Sequence, residues 1–179
     1  RGKGKSLRRV VAGVNGAQVE TAGDQAADSL PIPIKGLIPG MAVHYAYCCH
    51  PLPGDRIVGI QTPRKGVAIH TIDCQTLESF HDTPERWLDV AWDLGTGSDQ
   101  PHVGRLIVVT ANRRGSLAAL TTVVAQNQGN INNLKIINRS KDFFEMTLDI
   151  EVVDAEHLSE IIAALRVTAA VNSVERAWQ

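Results

Sequence analysis

Cysteine is scarce: the 179 residues hold only Cys48, Cys49 and Cys74. An odd count this low excludes the disulfide framework of a small secreted domain and fits a reducing cytoplasm. No apolar run approaches the ~20 residues that a bilayer-spanning helix requires. The basic start of the chain, with Arg1, Lys3, Lys5, Arg8 and Arg9, lacks the apolar segment of a signal peptide. A cytoplasmic location without membrane association is therefore expected. The formal net charge is only -1, so no global field draws the chain to nucleic acid, and any RNA contact must come from a local patch. An initiator methionine is also missing, and the expectation is a part of something longer.

Several catalytic frames are absent as well. There is no phosphate-cradling G-x-x-x-x-G-K-[ST] loop. Ser116 beside Gly115 lacks the G-x-S-x-G frame of a nucleophile elbow. His44, His50, His81, His102 and His157 show no triad spacing with Ser or Asp. No catalysis by this chain is expected.

What is there is an ordinary globular composition, 44% apolar and 21% charged. Residues 1–31 are basic, then small and glycine-containing, and read as a linker or remnant. Residues 32–94 open with Pro33, Gly36, Pro39 and Gly40 and carry short apolar runs bounded by turn residues. Met41–Tyr47, Arg56–Gln61, Gly66–His70 and Leu88–Trp92 read as short strands, and Cys74–Phe80 as one or two helical turns. Trp87 and Trp92 are expected in the small core of this mostly-β unit. So short a unit is marginal without a metal or a neighbour. The run Gly-Thr-Gly-Ser-Asp-Gln-Pro over 95–101 reads as a second linker.

Residues 102–179 have a regular pattern. A buried strand at Arg105–Thr110 leads to a helix over Gly115–Gln128, with Leu117, Leu120, Val123 and Val124 at helical spacing. A strand from Asn130 to Asn138 and a turn at Ser140–Asp142 follow. Phe143–Val153 alternates as a strand, Asp154 is placed to cap a second helix, and Val171–Trp178 is the last strand. The order β-α-β-β-α-β is the ferredoxin-like arrangement, so the whole is an α+β chain.

The chemistry-bearing residues fall in two groups. Cys48, Cys49, His70 and Cys74 offer three thiolates and an imidazole, a set suited to tetrahedral zinc in a structural role. The usual C-x2-C knuckle is absent, and adjacent cysteines rarely both reach one ion. Buried small cysteines without metal are the alternative. This region reads Cys48-Cys49-x-Pro51-x-Pro53-Gly54-Asp55-x-Ile57-x-Gly59, then Gly66-Val67-x-Ile69-His70-x-x-x-Cys74. It resembles the conserved-cysteine, zinc-finger-like region of RelA/SpoT homologues. Arg64 stands where that family often has glycine. The resemblance implies ribosomal RNA contact, for which Arg64 and Lys65 suit phosphate, and control of an N-terminal catalytic half.

The last segment resembles an ACT domain through Asn112-Arg113-Arg114-Gly115-Ser116-Leu117 after the first strand and Gly129-Asn130-Ile131 after the first helix. Asn112 replaces the aspartate common there. The helix N-terminus at Arg114, Gly115, Ser116, Leu117 and Ala118 suits a carboxylate, and Asn130, with Ile131 and Asn132, offers donor and acceptor groups. Leu117, Ile131 and Leu134 would line a pocket for a branched-chain amino acid, valine, isoleucine or leucine. ACT domains pair edge to edge, which implies a homodimer. Together the resemblances imply the regulatory C-terminal region of a bifunctional (p)ppGpp synthetase/hydrolase, with amino-acid binding shifting the catalytic half toward hydrolysis. The alternative is a ribosome-docking and dimerisation module with no small ligand.

Overall fold

Two runs in the first segment, Ile57-Val58-Gly59-Ile60 and Gly66-Val67-Ala68-Ile69, are apolar without alternation. Such runs suit strands covered on both faces, and the fold explains them. The computed structural model describes residues 34–93 and 100–178. The 1–31 linker therefore lies outside the described residues, as does most of the 95–101 linker. Strands β2 (Val43–Tyr45), β3 (Ile57–Thr62), β4 (Gly66–Thr71) and β5 (Trp87–Leu88) form one sheet in the order β2-β4-β3-β5. The β2–β4 pair is parallel and the others are antiparallel. A two-stranded ribbon joins β1 (Ile34–Lys35) to β6 (Ala91–Trp92). One sheet face carries Ile57, Val67, Ile69 and Val90. The other carries Ile60, packed with Ala46, Cys49, Cys74 and Leu77. Each cluster is small, as expected for so short a segment.

The tight β3–β4 hairpin depends on two left-handed residues, Arg64 (φ 68°) and Gly66 (φ 81°). A Cβ at Gly66 would lie 2.0 Å from the Ala42 carbonyl oxygen, so only glycine fits. Arg64 takes the same conformation with a side chain, at a cost of roughly 1–2 kcal/mol. That is the physical reason a glycine suits this position.

The second segment forms the expected βαββαβ unit: β7 (His102–Ala111), α1 (Ser116–Gln126), β8 (Asn130–Arg139), β9 (Phe143–Val152), α2 (Ala155–Arg166) and β10 (Val171–Arg176). The sheet order is β10-β7-β9-β8, all antiparallel. Leu106 and Val108 on β7 and Met146, Leu148 and Ile150 on β9 face Leu120 and Val124 of α1 and Leu158, Ile161 and Leu165 of α2. Strand β7 alternates in burial, so Ile107 and Val109 are half-buried and the strand is not buried throughout. The Asp154 carboxylate caps α2, accepting from the His157 amide at 2.8 Å.

The two segments are not separate bodies, because residues 32–179 form one compact unit. Leu52, from the Pro-rich loop of the first segment, is fully buried in the core of the second. The expected placement of Trp87 needs correction, whereas Trp92 packs against the Ile57, Val67, Ile69 and Val90 cluster. Trp87 is exposed and donates its indole N–H to the Phe80 carbonyl, while Trp92 is half-buried.

Burial of a Leu side chain stabilises by about 1.5–3 kcal/mol, and truncation adds a cavity cost. Leu52→Ala is therefore expected to destabilise the unit by about 2–5 kcal/mol in urea denaturation. A loss under about 1 kcal/mol would show that the loop is only loosely seated.

Candidate functional site

Why two adjacent cysteines converge is a matter of one turn. The His50 amide donates to the Ala46 carbonyl at 3.0 Å, closing a single α-turn around Cys48 and Cys49. His50 then takes φ 45° and reverses the chain into Pro51. A residue before proline favours extended backbone, so this conformation carries strain of about 1–3 kcal/mol. Strand β4 supplies His70 on the sheet face that carries Ile60, and the turn after β4 supplies Cys74.

The four donor atoms lie within 4.8 Å of one another. Cys48 Sγ is 3.4 Å from both His70 Nδ1 and Cys74 Sγ, and Cys49 Sγ is 3.8 Å from His70 Nδ1. A tetrahedron with Zn–S near 2.3 Å and Zn–N near 2.05 Å has edges of about 3.8 Å (S···S) and 3.6 Å (S···N). The donor set therefore fits a single four-coordinate ion. The Thr71 amide donates to Cys49 Sγ at 3.4 Å, which stabilises a thiolate there.

Burial pushes the Cys49 thiol up to about 12 and raises Cys48 as well. Burial acts on Cys74 too, but hydrogen bonds with Thr76 and Cys48 outweigh it and hold that thiol below its ordinary value. Burial, then the neighbouring His44, lowers His70, which keeps the imidazole neutral as a ligand must be.

The second candidate set divides. Gly115 (φ 86°) caps α1 with no side-chain bond, and Arg114 is exposed beside it. Ser116 is buried, Leu117 packs partly into the core, and Ala118 is exposed. Asn112 is committed to the β8–β9 hairpin: its side-chain amide donates to the Ser140 carbonyl at 2.8 Å. Asn130 donates to Glu151 at 2.8 Å and lies 3.5 Å from the Asn132 carbonyl oxygen. Register places Asn130 opposite Glu151, which faces Val103 near the start of β7, whereas Gly115 follows the other end of that strand. About eight residues of strand, near 27 Å, separate the two groups. Of the residues expected to line a ligand pocket, Leu117 packs against the core from α1. Ile131 is half-buried against the core, and Leu134 is 36% exposed. Strand β8 is a sheet edge, and it leaves Leu134, Ile136 and Ile137 exposed along it.

Arg64 and Lys65 are both exposed at the β3–β4 turn. Sequence reasoning missed the cleft of about 460 Å³ between the segments, lined by His44, Tyr45, His50, Arg105, Asn132 and Asp149 among others. There Arg105 holds Asp149 with two bonds of 2.6 and 3.0 Å, and Asn133 adds a third at 3.2 Å. The Arg105 guanidinium holds the Asp149 carboxyl below the usual carboxylate range. The i, j pairing of Arg105 with Asp149 across β7 and β9 carries no local sequence signal.

Residues 32–93 match the RelA/SpoT RIS domain family, and residues 98–176 match the ACT domain family. The GTP pyrophosphokinase rsh of Brucella ovis is 40% identical over 148 residues, 81% of this chain and 19% of that protein. The bifunctional (p)ppGpp synthase/hydrolase SpoT of Escherichia coli K12 is 31% identical over 145 residues, 81% of this chain and 20% of that protein. The chain thus spans about a fifth of the length of these relatives. Among solved structures, the ACT domain from GTP pyrophosphokinase of Chlorobium tepidum covers 43% of this chain and 99% of its own, with 23% identity and a TM-score of 0.38.

Because the folded Asp149 pKa is depressed, its contribution to stability is present above its unfolded value, about 3.9, and is lost as pH falls through the folded value. Asp149→Asn is expected to cost about 1.5–3 kcal/mol at pH 7. In urea denaturation the gap between variant and wild type should close below the carboxylate range. A gap that persists there would assign the loss to packing.

Proposed function

The chain belongs to the RelA/SpoT family, whose RIS and ACT domains it carries in that order, and from that premise we propose that it regulates a (p)ppGpp synthetase/hydrolase, with the ACT domain as an amino-acid sensor. The parent enzyme would make and hydrolyse (p)ppGpp in the cytoplasm during the stringent response. This region would carry no reacting group of its own. Ligand binding would act through its differential affinity for two states of the catalytic half, favouring hydrolysis when amino acids are plentiful.

The observation that carries this reading is the N-terminus of α1, which no side chain caps and where Gly115 lets a ligand approach backbone N–H groups at the positive end of the helix dipole. Its acceptor-donor partner, Asn130, sits at the far end of the sheet. A two-fold pairing of two chains along β8 exchanges those ends. It sets the partner's Asn130 beside this chain's α1 N-terminus, since α1 packs against β8. A homodimer therefore completes the site, and the exposed Leu134, Ile136 and Ile137 on that edge favour pairing. Small apolar surroundings favour valine, isoleucine or leucine over polar side chains.

We assign the Cys48, Cys49, His70 and Cys74 cluster to structural zinc. Four protein donors close the coordination sphere and leave no open position for chemistry.

The exposed basic turn at Arg64 and Lys65 supports a second activity, docking to ribosomal RNA. Binding of that kind weakens steeply with salt.

Titration calorimetry with valine, isoleucine and leucine, alongside light scattering, tests the sensor. Micromolar-to-millimolar binding by a dimer is expected, abolished in Ile137→Lys together with dimerisation. A monomer that binds none of the three overturns the reading. Separately, Arg64→Gly is expected to stabilise the chain by about 1 kcal/mol by relieving its left-handed backbone, while weakening ribosome binding. Unchanged ribosome affinity would remove Arg64 from the contact.

A further inference from the structure

The metal-ligating turn does not end in solvent. One residue after Cys49, the His50 carbonyl accepts from Arg176 Nη2 at 3.0 Å, and Arg176 lies on the last strand of the ACT domain. The same guanidinium grips Asp55 in a fork, Nη1 to Oδ1 at 2.8 Å and Nη2 to Oδ2 at 2.5 Å. Both side chains are only 14% exposed, so water competes weakly and the fork holds one geometry. Asp55 also accepts from the Leu52 amide at 2.8 Å, which closes the loop on itself. Within that loop Leu52 fills the ACT core, and the Pro53 carbonyl accepts from the Ala155 amide at 2.9 Å. Ala155 opens α2, so a carbonyl from the RIS domain satisfies one of the donors that a helix N-terminus leaves free.

The mechanical consequence follows from chain length and stiffness. Only His50 and Pro51 separate Cys49 from Leu52. His50 is in a left-handed conformation and Pro51 has a fixed φ. Cys49 therefore cannot swing toward or away from a shared ion without moving the Leu52 plug and the Pro53 carbonyl. Packed cores respond to such displacements by discrete rearrangement and not by smooth deformation.

We infer that the Cys/His centre and the ACT domain are thermodynamically coupled through the Pro51–Asp55 loop, with Asp55 and Arg176 as positioning residues for the metal ligands, so that ion binding seats the first turn of α2. This rests on the assignment of the cluster to a metal and extends it. Coupling is reciprocal: whatever loosens the clasp weakens ion binding, and whatever removes the ion loosens the clasp.

The test uses the 179-residue chain loaded with Zn2+ and then stripped with a chelator, followed by amide hydrogen exchange resolved by NMR. Stripping is expected to speed exchange at Ala155 about 10-fold or more, within the range of site-to-site coupling. Met146 and Leu148 in the central strand should keep their protection. In the reciprocal arm, Asp55→Asn is expected to lower Zn2+ affinity about 10-fold in competition with a chromophoric chelator. Arg176→Lys, which keeps the charge but loses the fork, should show an intermediate loss. Unchanged Ala155 exchange after the ion is demonstrably removed overturns the coupling while leaving the metal assignment intact. A wild-type chain that takes up no Zn2+ overturns both. The exchange arm needs no variant, so a misfolded Asp55→Asn does not blunt it.

Discussion

The seat of Leu52 in the core between the ACT sheet and its helices is the constraint on which the rest of the structure depends. A mostly-β segment of about 60 residues buries only two small clusters of its own. It gains order from a neighbour that accepts its Pro-rich loop, and it gathers three cysteines and a histidine into one cluster. The Asp55–Arg176 fork holds that loop in register, and the Pro53 carbonyl caps the neighbour's second helix. What the ACT domain receives in return is a filled core and a satisfied helix end.

The same arrangement leaves two surfaces clear of the clasp between the domains. The β3–β4 turn with Arg64 and Lys65 projects from the RIS sheet, at the far end of the hairpin from the clasp between the domains. The β8 edge lies along one side of the ACT sheet and β10, which carries Arg176, along the other. The β8 edge and the Asp55–Arg176 clasp on β10 therefore lie on opposite sides of that sheet.

Local pattern makes much of this legible in the sequence alone. The periodicity of Leu117, Leu120, Val123 and Val124, the cap at Asp154 and the alternation along Phe143–Val152 each rest on neighbouring residues, and each element formed. The Cys/His set was legible as chemistry, although the α-turn closed by His50 and Ala46 was needed to explain how adjacent cysteines share one cluster. Long-range facts carried no such signal. Nothing in Pro51-Leu52-Pro53 announces that its leucine belongs to another domain's core, and nothing in Arg176 names Asp55 as its partner. The ligand set drawn from Asn112–Ala118 and Asn130–Asn132 falls at two ends of one chain's sheet for a related reason. Sequence order is blind to which end of a sheet a residue reaches, and β7 and β8 run the same way with α1 between them. Trp87 was misplaced because large apolar size suggests a core, whereas its indole N–H found a carbonyl at the surface.

The central claim is that the RIS and ACT domains fold as one cooperative unit clasped by the Leu52 loop. Differential scanning calorimetry of the Zn2+-loaded chain tests it most directly, by comparing the calorimetric with the van't Hoff enthalpy. A single transition with equal enthalpies is the predicted result. Two resolved transitions, one for each domain, would contradict it.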